Sequence, residues 1–124
     1  MSDSAIRVTV LGSGTSSGVP TIGCSCAVCA SADPRDNRLR PSVLVQYDGH
    51  SVLIDITPDF RQQALRNGVK RIDAILLTHS HADHILGLDD LRPLNYHQGG
   101  VEKAGAGVGT APLWRCSKRF VALR

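Results

Sequence analysis

The stretch that decides the fold is Thr78-His79-Ser80-His81-Ala82-Asp83-His84, which directly follows the apolar residues 72–77. It places three imidazoles and one carboxylate within six residues, and these groups suit zinc, manganese or iron as ligands. On an extended backbone, the side chains of His79 and His81 project to the same side, so both can reach one ion. We therefore predict a divalent metal site at the end of a buried strand. A chance cluster of polar residues is the alternative.

Length and composition indicate one modest globular domain. The chain has 124 residues, of which 42% are hydrophobic and 20% charged, with a net charge of +3. Basic residues gather near the C-terminus, where a solvent-exposed end is favoured over a nucleic-acid surface. No segment approaches the ~18 apolar residues of a membrane span, and the N-terminus lacks the pattern of a signal peptide. We expect a cytoplasmic protein with no membrane partner.

The order of predicted elements is that of an α/β protein. We predict strands over 6–11, 42–47, 51–56 and 72–77, the middle two forming a hairpin at Asp48-Gly49-His50. One helix should begin at Thr57-Pro58 and stop at Asn67-Gly68. A second should run from about Asp83 to Leu91, broken by Pro93. Residues 30–41 should form an exposed loop, 99–109 should be flexible, and 113–114 and 120–123 are apolar enough for a short closing element.

A cysteine cluster forms a second candidate metal site. Cys24, Cys26 and Cys29 lie within six residues, a spacing more typical of metal chelation than of a disulfide framework. Structural zinc takes four sulfur or nitrogen ligands, so a fourth ligand is needed. His50 and Cys116 are both candidates, and three reduced cysteines in a loop are the alternative.

The motif at 78–84 resembles the His-x-His-x-Asp-His signature of the metallo-β-lactamase superfamily. Residues 11–20, 23–29 and 53–61 are similar to one branch, which contains the phosphoribosyl cyclic phosphodiesterase of phosphonate breakdown. The resemblance extends from about Val10 to Gly100. It implies an αββα sandwich, with residues 1–100 as the N-terminal half of the domain. Residues 101–124 would then be a divergent, basic tail rich in Gly and Ala.

The resemblance also implies a role for each candidate residue. His79 and His81 would bind one zinc or manganese ion, and Asp83 and His84 a second. Asp83 would be catalytic, orienting the attacking hydroxide. Asp55 would orient the metal-binding loop, because a ligating His needs its other nitrogen held. In the same branch, cysteines matching Cys24, Cys26 and Cys29 hold a structural zinc.

The implied function is that of a metal-dependent hydrolase, with a small phosphodiester as substrate and a metal-bound hydroxide as nucleophile. Complete members are longer and take further His and Asp ligands from their second half. After His84 this chain has only His97, Asp89 and Asp90, which lie too early to replace them. We therefore expect a truncated chain, weakly active or inactive alone, that could self-associate through an exposed sheet. A non-catalytic metal-binding fragment and an RNA-processing nuclease are the alternatives. No RNA-gripping arm is visible, so nucleic acid is not the favoured partner.

Overall fold

The computed structural model describes residues 5–99 and 120–122, the residues 98–99 and 120–122 by their backbone alone. In this part of the chain the strands form one mixed sheet in the order β1-β2-β3-β4-β5. Only β3 and β4 pair in parallel; the other neighbours are antiparallel. The strands are β1 (Arg7–Gly12), β2 (Ser42–Tyr47), β3 (His50–Ile54), β4 (Ala74–Leu76) and β5 (Phe120–Ala122). The helices are α1 (Phe60–Arg66), α2 (Ala82–Ile85) and α3 (Arg92–Gly99), with 3-10 helices at Pro34–Asp36 and Leu86–Leu91.

The predicted hairpin is confirmed. β2 and β3 pair with Tyr47 opposite His50, so only two residues form the turn. Asp48 and Gly49 have φ values of 48° and 75°. A two-residue turn with both φ angles positive matches the right-handed twist of the strands, and Asp-Gly is one of the few pairs that adopts it readily.

The two faces of the sheet differ in burial. One face carries Leu44, Leu53 and Ile75, which are register neighbours and nearly inaccessible to solvent. They belong to the core, which also contains Phe60 of α1. The opposite face carries two apolar rows, and all of its members are at least partly exposed: Val8, Val45, Val52 and Ala74 in one row, Val10, Val43, Ile54 and Leu76 in the other. We call these eight residues the apolar face.

Two predicted helix boundaries are wrong. The first helix begins at Phe60, not at Thr57-Pro58. The reason is that the Thr57 hydroxyl accepts the N–H of Asp59 at 3.1 Å and its carbonyl accepts that of Phe60 at 3.0 Å, which closes a turn before the helix. Pro93 does not break a helix; it is the second residue of α3. In a first turn the missing N–H of Pro would have no helical partner anyway, so Pro93 is compatible with a helix start.

Other boundaries shift less. β4 is shorter than the predicted strand over 72–77, and the loop 30–41 contains the short 3-10 helix Pro34–Asp36. The closing element expected at 120–123 is confirmed as β5, which pairs antiparallel with β4. Residues 100–109 and 113–114, for which we predicted a flexible segment and part of a closing element, lie outside the described residues. Gly99, the first residue of the predicted flexible segment, is instead the last residue of α3. Among the described residues no helix has the length and apolarity needed to cross a bilayer.

Candidate metal centre

The residues predicted to bind metal meet where the parallel strands β3 and β4 end. Asp55 directly follows β3, and its N–H donates to the carbonyl of Leu76 at 2.8 Å. The motif 78–84 begins two residues after β4. The N–H of Ile56 donates to the carbonyl of His84 at 2.9 Å, which anchors α2 beside the end of β3. Because parallel strands end at the same edge of a sheet, residues 23 to 29 positions apart become neighbours.

Asp55 is the centre of the hydrogen-bond network. Its side chain accepts the Thr78 N–H at 2.8 Å through Oδ1 and the Thr78 hydroxyl at 2.7 Å through Oδ2. Oδ2 also lies 2.7 Å from Nδ1 of His84. The residue is 5% exposed and has a φ of 58°, a left-handed conformation that Asp tolerates better than most side chains. Asp55 therefore contacts both Thr78 and His84 of the motif, and its orienting role stays a prediction.

These contacts favour one ring tautomer for His84 and one for His79. A carboxylate can only accept, so Nδ1 of His84 donates to Asp55. The Thr78 hydroxyl donates its single proton to Asp55, so it accepts a hydrogen bond from Nδ1 of His79, which lies 2.9 Å away. With both Nδ1 atoms protonated, the Nε2 atoms of His79 and His84 can present lone pairs to a metal ion.

The candidate ligand atoms form two facing pairs. Nε2 of His79 lies 3.1 Å from Nδ1 of His81. Nε2 of His84 lies 3.0 Å from a carboxylate oxygen of Asp83. The two pairs adjoin, because the ring centroids of His79 and His84 are 3.9 Å apart. Imidazole nitrogens and a carboxylate suit zinc or manganese, and a positive charge fits between His84 Nε2 and Asp83.

The cysteine cluster is the more compact group. The sulfur atoms of Cys24, Cys26 and Cys29 lie within 4.8 Å of one another. Among the described residues, no other group of three or more His, Cys, Asp or Glu side chains brings its ligand atoms so close together. The Cys29 N–H, followed by the Cys24 thiol, lowers the pKa of Cys26 to about 7. The pKa of Cys29 is raised: the Thr21 N–H lowers it, but the Cys24 thiol, burial and Cys26 together outweigh that effect. A thiolate at Cys26 is thus favoured near neutral pH, and thiolates are the form that binds zinc.

The fourth ligand of the cysteine cluster stays open. His50 lies at the start of β3, where its ring nitrogen is 4.0 Å from Asp73 and 66% of its side chain is exposed. It does not join the three cysteines within 4.8 Å. Cys116, the other candidate, lies outside the described residues.

Two residues important to the geometry were not identified from the sequence. The Thr78 hydroxyl links Asp55 to His79 through two hydrogen bonds. Its position next to the first His of the motif is the sequence feature that could have identified it. Gly87 lies where a Cβ atom would be 2.0 Å from the carbonyl oxygen of Thr57. Its N–H donates to the carbonyl of Ile56 at 3.1 Å, so glycine allows the 3-10 helix after α2 to approach the backbone that follows β3.

Comparison with known proteins identifies the family. A family model described as a beta-lactamase superfamily domain matches residues 50–117, more than half of the 124 residues. The chain belongs to the metallo-β-lactamase superfamily. This confirms the predicted superfamily and its fold class. The described residues form one part of the complete metallo-β-lactamase fold.

Three known proteins illustrate the similarity. A solved diphosphatase from the PhnP family is 71% identical with a TM-score of 0.74, and the match covers 78% of this chain and 39% of that one. Zn²⁺-bound PqqB from Methylobacterium extorquens is 34% identical with a TM-score of 0.63, covering 71% and 34%. An octanoyltransferase from Porphyromonas gingivalis is 55% identical over 94 residues, which are 75% of this chain and 19% of that protein. The chain thus spans 19% to 39% of the lengths of these relatives.

Proposed function

We propose that this chain is the N-terminal half of a metal-dependent hydrolase domain whose substrate is a small phosphodiester. The observation that carries the proposal is the pair of facing ligand sets, His79 with His81 and Asp83 with His84, oriented through Asp55. The 71% identity to a diphosphatase favours phosphoryl chemistry over hydrolysis of other bonds. A small diester is favoured over RNA, the substrate of the nuclease alternative.

Each side chain has a role in this proposal. His79 and His81 would hold one zinc or manganese ion, and Asp83 and His84 the second. Such ions, when bound, acidify water and polarise a phosphoryl oxygen. Asp83 has a second carboxylate oxygen, with which it would accept a hydrogen bond from the attacking water and orient it. Asp55 would fix the ring orientation of His84 directly and that of His79 through Thr78.

The cysteine cluster has a separate, structural role in the proposal. Cys24, Cys26 and Cys29 would hold a zinc ion, supported by their mutual proximity and by the lowered pKa of Cys26. The three thiols are free, and free thiols are typical of the reducing cytoplasm, where we propose that the chain works.

Metal content and turnover test the proposal together. We would measure metal per chain for the wild type, for a His79→Ala/His81→Ala/His84→Ala triple variant and for His50→Ala, an exposed histidine outside the centre. The same samples would be assayed with bis(4-nitrophenyl) phosphate and with a short RNA. We expect the triple variant to lose about two ions, as a two-metal site requires. We also expect it to lose a slow, metal-dependent hydrolysis of the diester, and His50→Ala to keep both.

The other outcomes distinguish the alternatives. Metal loss in the triple variant without turnover by the wild type would overturn catalysis by this chain and support a metal-binding fragment. Faster cleavage of RNA than of the small diester would support a nuclease. Unchanged metal content in the triple variant would overturn the metal centre itself.

A further inference from the structure

A second cleft lies at the opposite end of the sheet from the metal centre. Its volume is about 440 Å³, and Gly49 of the β2–β3 turn and Gly68 after α1 lie on its rim. Ser51, near the start of β3, lines it. Asp55 follows the end of the same strand, so about 13 Å of extended chain separates the two residues. The cleft is therefore distinct from the metal centre.

The cleft carries an excess of positive charge. Arg7, Lys70 and Arg71 line it. The charge of Arg71 is balanced by Asp73, whose Oδ1 lies 2.6 Å away and whose Oδ2 accepts the Ser51 N–H at 2.7 Å. Burial opposes ionisation of Asp73, but Arg71 and the Ser51 N–H outweigh it and lower its pKa.

The other two cations of the cleft, Arg7 and Lys70, differ from Arg71 in this respect. Neither Arg7 nor Lys70 has a carboxylate partner among the residues that the structure describes. Asp48, the other acidic residue nearby, is exposed and lines an adjoining, shallower cleft with Arg7 and His50. Two cations that have no carboxylate partner among the described residues therefore line the same cleft.

The remaining walls are polar and fixed, with a small apolar part. Nε2 of Gln46 donates to the Ser51 hydroxyl at 3.3 Å, and Nδ2 of Asn67 donates to the carbonyl of Gln63 at 2.8 Å. Val69, which is partly exposed, adds apolar surface. A volume of about 440 Å³ falls in the range of small-molecule sites and exceeds the size of a phosphate ion.

We propose that this cleft binds a phosphate group, held by Arg7 and Lys70, either as a small phosphate monoester or as free phosphate. A phosphate group carries a charge of about −1.5 to −2 at neutral pH, which two cations balance better than they would a single carboxylate. Arg binds two phosphate oxygens at once through its planar fork, and Lys adds a point charge.

Nuclear magnetic resonance of the full chain tests the proposal without depending on catalysis. Inorganic phosphate and phenylphosphonate, a non-hydrolysable mimic of a monoester, would be titrated into ¹⁵N-labelled protein. We expect amide shifts at Gly49, Gly68 and Lys70. Arg7→Ala and Lys70→Ala should each weaken binding at least about threefold, the effect of losing one exposed charge contact. Arg61→Ala is the matched control, because Arg61 is exposed on α1 and does not line the cleft.

The comparison of ligands identifies the source of the phosphate group. Tighter binding of phenylphosphonate would support a monoester, because Val69 can contact its ring, whereas equal affinities would support free phosphate. The proposal fails if the shifts are confined to the motif 78–84, or if Arg61→Ala weakens binding as much as the cleft variants do. Metal content at the histidines should be the same in all variants, so failure here leaves the proposed hydrolase function standing.

Discussion

Replacing Asp55 by Asn should disable both candidate metal pairs while leaving the shape of the site unchanged. The amide is isosteric with the carboxylate, and Asn tolerates the positive φ of this position. Its oxygen can still accept the Thr78 N–H. Its NH₂ group, however, must donate where Oδ2 accepted from Thr78 and His84. Nδ1 of His84 must then give up its proton, which moves to Nε2.

The same reversal reaches His79. The Thr78 hydroxyl, now accepting from Asn, is free to donate to Nδ1 of His79, which is 2.9 Å away. This again moves the ring proton to Nε2. Since a protonated nitrogen cannot bind metal, the substitution removes one ligand atom from each pair. Losing such outer partners typically costs about 10- to 100-fold in metal affinity.

The stability cost follows from the same contacts. Three hydrogen bonds to the carboxylate, each worth about 1.5–3 kcal/mol, become three neutral bonds worth about 1 kcal/mol each. The free energy of unfolding should therefore fall by about 1.5–6 kcal/mol. Urea unfolding measures this quantity, and competition with a chromophoric chelator measures metal affinity.

Asp73→Asn is the matched control. Asp73 also accepts a backbone N–H, that of Ser51 at 2.7 Å, and contacts Arg71, but it directly precedes β4 and lies beside the start of β3, away from the metal centre. The Asp73→Asn variant should have a lower free energy of unfolding than the wild type but the same metal affinity. Long-range ¹H–¹⁵N spectra report the ring tautomers directly. If Asp55→Asn bound metal as tightly as the wild type, or if His84 kept its proton on Nδ1, the proposed control of the ring tautomers would be refuted.

Three further predictions concern packing, association and pH. Gly87→Ala should destabilise the chain by about 3 kcal/mol or more, because its Cβ would lie 2.0 Å from the Thr57 carbonyl oxygen; thermal unfolding at the wild-type temperature would contradict this. We expect the apolar face to cause self-association that grows with concentration in sedimentation experiments; Val8→Lys on this face should abolish it, whereas Val28→Lys, at an exposed loop position, should not. Because the pKa of Asp73 is lowered in the folded state, its stabilisation is present above about pH 4 and is lost as pH falls through the folded value. The difference in unfolding free energy between wild type and Asp73→Asn should accordingly be largest near pH 6 and shrink at pH 3, and an unchanged difference would argue against this role.

Much of the local structure could be predicted because its causes are local. The Asp48-Gly49 turn needs two positive φ angles, and the sequence supplies residues that adopt them. The first strand and the hairpin follow from alternation and turn chemistry. The helix starts were wrong where a side chain formed its own turn, as Thr57 does, or where Pro93 was compatible with a start as well as a stop.

The sequence by itself determined the set of candidate ligands, since His79, His81, Asp83 and His84 lie within six residues and need little folding to come close. Only the tertiary structure decided their hydrogen-bond partners, because Asp55, whose carboxylate contacts Thr78 and His84, lies 23 to 29 residues away from them. It joins them only when β3 and β4 pair in parallel and end at one edge of the sheet. The cleft lined by Arg7 and Lys70 has the same origin: its walls are 63 residues apart in the chain, and no local pattern specifies their meeting.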